Sequence, residues 1–359
     1  MSEGGATGVL AAMRGQWASM TGMAFMFVST ILIGLSVQPI YNIPEARAFG
    51  EEGASKGAFV ALELAMIGVF TIVIIWLARR GLDFFIKAIV LFALWMSLFY
   101  AVQPYVALVL YFLGLDTLYV VALLSIVISS VSIYLLHIFP EWYVVNGVGI
   151  MVGAGVITLI GVSFVPILII AFMIAAAIYD YWAVNGSKHM LELADTMIDL
   201  KLPVLLVAPK NTDYSFIEQD DSVMRDKEIE VTKMDWDDPV PHIKKEGGPT
   251  KGRDALFMGL GDVIFPGMLV ISSVSFLPQT GGEVTYFSAF GVMYADSLTV
   301  AMGTLFGGLL GYFALMTQVA RGKPQAGLPL LNGGSILGYL VSGYFALGIG
   351  NLWQDITFF

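Results

Sequence analysis

The sequence predicts an all-α polytopic membrane protein with nine transmembrane helices and one large polar loop between the sixth and the seventh. Three observations carry this prediction. Hydrophobic residues make up 57% of the 359 and charged residues only 13%, about half of the ~25% that covers the surface of a soluble domain. Mean hydropathy is +0.80, and nine apolar stretches approach or exceed the roughly 20 residues that a bilayer-crossing helix needs. Polar residues concentrate in one place, 186–253, which holds 10 basic and 14 acidic residues. This distribution excludes a soluble enzyme, a disordered chain and a fibrous repeat.

The apolar stretches run over roughly 17–37, 58–78, 84–112, 117–137, 142–162, 165–185, 255–276, 286–313 and 327–350. The first is too long for the apolar core of a secretory signal and ends in no small-residue cleavage pattern. The third and eighth exceed one bilayer thickness and are expected to tilt or project. Small residues recur four apart at Gly149/Gly153, Gly303/Gly307/Gly311 and Gly334/Gly338/Ser342. That spacing lets helix backbones approach closely, and we read it as packing rather than chemistry.

The chain thus divides into an N-terminal six-helix unit (residues 1–185), a loop (186–253) and a C-terminal three-helix unit (254–359). The centre of the loop, Asp213–Glu246, reads as a solvated linker. Its edges carry more structure. Ser187 is placed to cap a short interfacial helix through about Leu200, with Met190, Leu193, Ala194 and Met197 on one face. Leu202, Pro203, Val204, Leu205, Leu206 and Val207 then read as a short strand ended by Pro209. A strand at a membrane surface needs a partner for its backbone groups. No internal repeat is evident, which weakens an inverted-repeat transporter reading.

Composition narrows the chemistry. There is no cysteine, and His137, His189 and His242 lie outside metal-ligand spacing of one another. No disulfide framework, thiol nucleophile, metal or other cofactor is therefore expected. A net charge of −10 argues against a nucleic-acid partner. Nothing in the sequence indicates an accessory subunit or an oligomer. The expected partners are the lipid bilayer and whatever substrate enters it.

An ionisable residue inside a membrane span marks a functional site by default. Four acids qualify: Glu63, Asp180, Asp262 and Asp296. Glu63 lies near the outer end of its helix and Asp296 beside Tyr294 and Ser297, so both read as structural. Asp180 lies about five residues before the cytoplasmic end of the sixth segment, and Asp262 about seven residues into the seventh from the same face. The two carboxylates are expected at like depth on neighbouring helices. At that separation their repulsion would hold one protonated and its partner ionised at neutral pH. Such a pair can activate a water with one member and protonate a carbonyl with the other. Around Asp262 the sequence is Gly259-Leu260-Gly261-Asp262-Val263-Ile264-Phe265-Pro266-Gly267. The glycines leave room for close backbone approach, and Pro266 cannot donate to the Asp262 carbonyl. Tyr179 and Tyr181 flank Asp180 and can hydrogen-bond a carboxylate or a substrate carbonyl.

Tyr179-Asp180 and Gly259-Leu260-Gly261-Asp262 resemble the two active-site motifs of the GxGD intramembrane aspartyl proteases, the family of presenilin and signal peptide peptidase. The chain is most similar to microbial presenilin homologues. The resemblance implies that Asp180 and Asp262 are catalytic, with Tyr179, Gly259, Leu260 and Gly261 in support. The family's third motif, Pro-Ala-Leu before the last helix, corresponds to Ala326-Gly327-Leu328 followed by Pro329. Leu328 and Pro329 match, while Ala326 and Gly327 depart from Pro-Ala. The resemblance also implies that an unwound substrate segment pairs with the strand Leu202–Val207, through Leu202, Val204, Leu205, Leu206 and Val207, with Lys251–Leu256 expected as the other strand.

The function expected is intramembrane aspartyl endopeptidase, with transmembrane peptides or proteins as substrates. The alternative is a proton-coupled membrane transporter that uses the paired acids as a relay. A scaffold with structural acids is the third reading. Gly53-Ala54-Ser55-Lys56-Gly57 fits a serine-hydrolase pattern but lies in a polar loop without the strand-to-helix setting that chemistry needs.

Orientation follows from the loop Lys and Arg residues, of which sixteen fall on the N-terminal face and two, Arg47 and Lys56, on the other. Without the long loop the ratio is six to two, because long loops weigh less in the positive-inside rule. The N-terminus and the 186–253 loop are therefore expected in the cytoplasm and the C-terminus outside. Single cysteines at Ser222 and Thr357 test this in sealed, oriented vesicles. Thr357→Cys should react with an impermeant maleimide from outside and Ser222→Cys should not; the reverse pattern would invert the topology.

Overall fold

The structure is a computed structural model, and it describes residues 3–50, 54–115, 117–182, 205–210, 214–215, 255–285, 291–319 and 327–357. Among these residues there are nine α-helices: α1 (Glu3–Tyr41), α2 (Gly57–Arg79), α3 (Asp83–Phe112), α4 (Leu118–Ile138), α5 (Trp142–Gly161), α6 (Pro166–Trp182), α7 (Leu260–Phe276), α8 (Ala295–Val319) and α9 (Leu328–Ala346). Two antiparallel ribbons join them. Strand β1 (Leu205–Pro209) pairs with β2 (Ala255–Gly259), and β3 (Glu283–Val284) pairs with β4 (Met293–Tyr294). The expected short helix at 187–200 and the residues Leu202 and Val204 lie outside the described residues.

Among the described residues, six helices are long and apolar enough to cross a bilayer: Gln16–Tyr41 of α1, Gly57–Leu77 of α2, Phe84–Phe112 of α3, all of α4 and α5, and all of α8. The acid-bearing helix α7 has 17 residues, which at 1.5 Å per residue span roughly 25 Å against a hydrocarbon core of about 30 Å, and α6 is described over the 17 residues Pro166–Trp182. Asp262 sits within one turn of the start of α7. The expected position of Asp262, seven residues into its helix, is thus corrected: it is the third residue of α7. The reason is local. The run Ala255-Leu256-Phe257-Met258 is apolar enough to extend a helix on paper, yet it pairs with β1 and leads straight into α7 at Leu260.

Other boundaries move for similar reasons. α1 extends beyond the expected 17–37 at both ends, and α8 covers 295–319 rather than 286–313, because Met293–Tyr294 is held in the second ribbon. Strand β1 is described over Leu205–Pro209 and includes Pro209 rather than stopping before it. Its partner is described over Ala255–Gly259 and so runs past the expected end at Leu256, while 251–254 lie outside the described residues.

α1 runs through the centre of the assembly, packing against α5, α7, α8 and both strands of the first ribbon. Phe27, Ile31 and Leu35 on α1 are fully buried with Ile157 of α5 and Ile271 of α7. Polar side chains link helices where no water can serve. Thr158 donates to the Gly34 carbonyl at 3.0 Å, Gln38 to the Ser275 hydroxyl at 2.9 Å, and Tyr312 to the Met20 carbonyl at 2.8 Å. Model membrane systems put such bonds at about 0.6–2 kcal/mol each.

The small-residue stripes pack as expected. Gly303, Gly307 and Gly311 of α8 face Ser342, Gly338, Gly334 and Leu330 of α9, and a side chain at any of the three glycines would strike the other helix's backbone or Ser342. Gly161 of α5 similarly abuts Ile271 of α7, and Gly267 of α7 abuts Ile157 of α5. These approaches fix α7 and α9 relative to the rest of the bundle. Gly307→Val should therefore force α8 and α9 apart and cost about 1–3 kcal/mol. Gly333→Ala, whose new methyl meets open space, should be neutral or stabilising by up to about 1 kcal/mol. Melting of the two purified variants checks this, and equal melting temperatures would contradict the packing.

Candidate active site

Asp180 lies on α6, seven residues beyond Met173, which is buried against the bundle. Asp180 is itself buried, with a relative exposure of 7%. Among the described residues, its identified donor is the backbone N–H of Leu328, at 3.2 Å from Oδ2. Leu328 is the first residue of α9, and Pro329 follows it. Proline at the start of a helix leaves no wasted donor, and the N–H groups of a helix's first turn have no intrahelical acceptor. The Leu328 N–H is one of these free donors, and it is directed at a carboxylate. A negative charge here also lies at the positive end of the α9 dipole.

Asp262 lies in the first turn of α7, again at a helix N-terminus. Its carboxylate accepts a hydrogen bond from the backbone N–H of Gly259, three residues earlier, and lies close enough to Asp180 for their charges to interact. Gly259 ends β2 and caps α7 with φ −59° and ψ 137°. The strand-to-helix junction thus turns its own amide onto the acid.

The two carboxylates are joined by consecutive residues. Leu328 donates to Asp180, while the Cα of Gly327 packs on Asp262, so that a Cβ there would lie 2.9 Å from Oδ2 and 3.1 Å from Oδ1. The close approach expected of the motif glycines is found at Gly327. Gly261 has open space around it among the described residues, and a Cβ at Gly259 would meet only the Asp262 carboxylate, at 3.6 Å. Gly261 is exposed, so the site is open on that side. Leu260 is buried and reaches Gly153 of α5, which seats the start of α7 on that helix.

Tyr179 is 43% exposed, with its ring beside that of Trp182. Asp296 accepts the Thr280 hydroxyl at 2.6 Å and opens α8 beside the second ribbon, away from Asp180 and Asp262. Ala326 lies outside the described residues. Of the expected strand residues, Leu205, Leu206 and Val207 are in β1, paired with Gly259, Met258 and Phe257 respectively.

Three features were not anticipated from the sequence. A cavity of about 90 Å³ opens beside Asp262, lined by Met23, Met258, Met316 and Gly327 among others. Asn332, one turn past Leu328, donates to the Met173 carbonyl at 2.9 Å and so ties α9 to α6 below Asp180. Asn146 of α5 bonds the backbone of Val207 in β1. A single Asn in an otherwise apolar helix was the available signal for the last two. Among the described residues, no group of three or more His, Cys, Asp or Glu is placed to hold a metal ion.

The arrangement brings two acids within electrostatic reach of each other, with a backbone amide directed at each. Comparison with known proteins gives the family. The family model described as signal-peptide peptidase, presenilin aspartyl protease matches residues 23–349. Two solved structures of a presenilin family intramembrane aspartate protease, in C222 and P2 crystal forms, are similar over the whole fold. The first is 25% identical, covers 92% of this chain and 100% of its own, and superposes with a TM-score of 0.56. The second is 27% identical, covers 90% and 97%, and has a TM-score of 0.55. Comparison with curated protein sequences gives no significant match. None of these matches is to a transporter. The chain belongs to the signal-peptide peptidase and presenilin aspartyl protease family, and is a multi-pass membrane hydrolase of the intramembrane aspartyl protease type.

Proposed function

We propose that Asp180 and Asp262 form the catalytic dyad of an endopeptidase that hydrolyses peptide bonds within transmembrane segments. The observation that carries this reading is the bridge made by Gly327 and Leu328, which touches both carboxylates with backbone atoms. Among the described residues, the identified hydrogen-bond partners of both acids are backbone amides, which supports a role in which carboxylate oxygens serve water and substrate.

In this mechanism the ionised carboxylate takes a proton from the water as its oxygen attacks the scissile carbonyl carbon. The protonated partner gives its proton to the carbonyl oxygen, so a neutral gem-diol forms without a free oxyanion. On collapse, the acid that took the water's proton passes it to the departing amide nitrogen, and its partner recovers one from a gem-diol hydroxyl. Each acid–base transfer contributes roughly 10²–10⁴-fold. The Pro-Ala-Leu-like stretch Gly327-Leu328-Pro329 holds the pair. Tyr179, Gly259, Leu260 and Gly261 shape its approach. Open space at Gly261 is the side from which an unwound segment enters, and the β1–β2 ribbon offers backbone pairing to hold it extended.

This reading has nine crossings, an inside N-terminus and an outside C-terminus. The N-terminal six-helix unit supplies Asp180. The C-terminal three-helix unit supplies Asp262 and the bridge, and 186–253 is the cytoplasmic loop between them.

Incubation of purified protein with single-span peptides, with products identified by mass, tests the proposal. Asp180→Asn and Asp262→Asn should each lower cleavage by at least about 100-fold, and the double variant should be no worse than either single one. Neither should melt below wild type, because removing one acid relieves the juxtaposition of two. Activity against pH should be bell-shaped, its limbs belonging to the pair rather than to one residue. Near wild-type cleavage by either purified variant would reject the dyad.

A further inference from the structure

The β1–β2 ribbon has two edges, and one of them is already closed by side chains. The N–H of Val207 donates to Oδ1 of Asn146 at 2.8 Å, and Nδ2 of Asn146 donates to the Val207 carbonyl at 2.7 Å. A side-chain amide here exchanges the same two bonds that a residue of a neighbouring antiparallel strand would exchange. Two residues along, on the same side of β1, the Pro209 carbonyl accepts from the Ser19 hydroxyl of α1 at 2.7 Å. Proline has no N–H to satisfy. The outward groups of β1 at both positions are thus taken by helices α5 and α1. Asn146, Ser19 and Val207 are all buried, with relative exposures of 7%, 3% and 0%.

The alternation of the ladder carries this to the acid. Val207 is opposite Phe257 and turns its polar groups away from β2; two residues on, Leu205 is opposite Gly259. Gly259 then also points its N–H away from β1, and that N–H is the one bound by Asp262. No linker separates β2 from α7. A slip of the ribbon by one residue would invert every backbone group along it, and would take the Gly259 amide off Asp262.

We propose that Asn146 is a positioning residue for the reaction: its amide acts as a one-residue third strand that locks the register of the β1–β2 ribbon. It thereby sets where Asp262 stands relative to Asp180 and restricts strand addition to the β2 side, beside the acid. The proposal rests on the dyad reading above. It also assigns β1 the role of inner strand, with Val207 buried in the clamp rather than offered to substrate.

The test compares Asn146→Leu, which keeps volume but makes neither bond, with Asn146→Asp, which keeps an acceptor for the Val207 N–H only. The substrate is a single-span peptide that wild type cuts and Asp262→Asn does not, so a failure of the protease reading shows in that control. Asn146→Leu should spread cleavage over several neighbouring peptide bonds and lower kcat/KM by about 10–100-fold. Asn146→Asp should fall between it and wild type. Amide exchange at Val207 should quicken at least tenfold in Asn146→Leu, in the absence of substrate. A folded Asn146→Leu with wild-type kcat/KM and one cleavage position would overturn the proposal. So would activity that falls only in step with melting while the cleavage positions stay fixed, which is what a merely structural role gives. If Asn146→Leu does not fold, Asn146→Asp decides: wild-type rate and products there would equally overturn it.

Discussion

Two carboxyl groups set close together within a bundle of apolar helices are the constraint around which the molecule is arranged. Their charges oppose each other, and hydrocarbon offers no solvation. The structure answers with backbone amides: Leu328 N–H on Asp180 and Gly259 N–H on Asp262. Each comes from a helix start, where N–H groups lack internal acceptors and the dipole favours negative charge. A cation in either place would stabilise the acids more, but it would tie them up in ion pairs. In the proposed mechanism, amides hold the carboxylates while other oxygens serve a water and a carbonyl.

Backbone donors are only as well placed as the helices that carry them. Leu328 is fixed because α9 lies against α8 with no side chain between Gly307 and Gly334 or between Gly303 and Gly338. Asn332 adds a bond to Met173 on α6, the helix of Asp180. On the other side, Leu260 reaches Gly153 and Gly267 meets Ile157, seating α7 on α5. α5 also carries Asn146, so the helix that supports Asp262 from below holds the ribbon that leads into it. Tight glycine packing, the ribbon clamp and the dyad thus form one mechanical unit, while α2, α3 and α4 lie further out with many apolar side chains facing lipid.

Much of this was legible in the sequence, and what was not has a physical reason. The apolar stretches overlap all nine described helices, six of them long and apolar enough to cross a bilayer, because burial in lipid needs continuous hydrophobicity whatever the partners are. Glycine spacing in the eighth and ninth helices foretold close helix packing, though not that the two meet each other. Residue type and motif singled out Asp180 and Asp262. The start of α7 was misplaced because Ala255-Leu256-Phe257-Met258 is apolar with no helical or strand period, and such a run becomes a strand only when a partner pairs with it. The donors to the acids were invisible because they are main-chain groups, which every residue owns. The close approach at Gly327 depends on a helix more than sixty residues away in sequence from Asp262, and Asn146 looked like an isolated polar residue until the strand it binds was in place.

The most direct test of the account measures binding rather than turnover. A peptide spanning the cleaved bond, with a hydroxyl-bearing carbon in place of the scissile carbonyl, reproduces the tetrahedral intermediate and can bond both carboxyls at once. Its Kd should be at least about 100-fold tighter than that of the matching unreacted peptide in wild type. Replacing either acid by Asn should abolish most of that difference while leaving the unreacted peptide's Kd unchanged. Equal affinity of the mimic for wild type, Asp180→Asn and Asp262→Asn would mean that the two carboxyls do not act together on the reacting carbon.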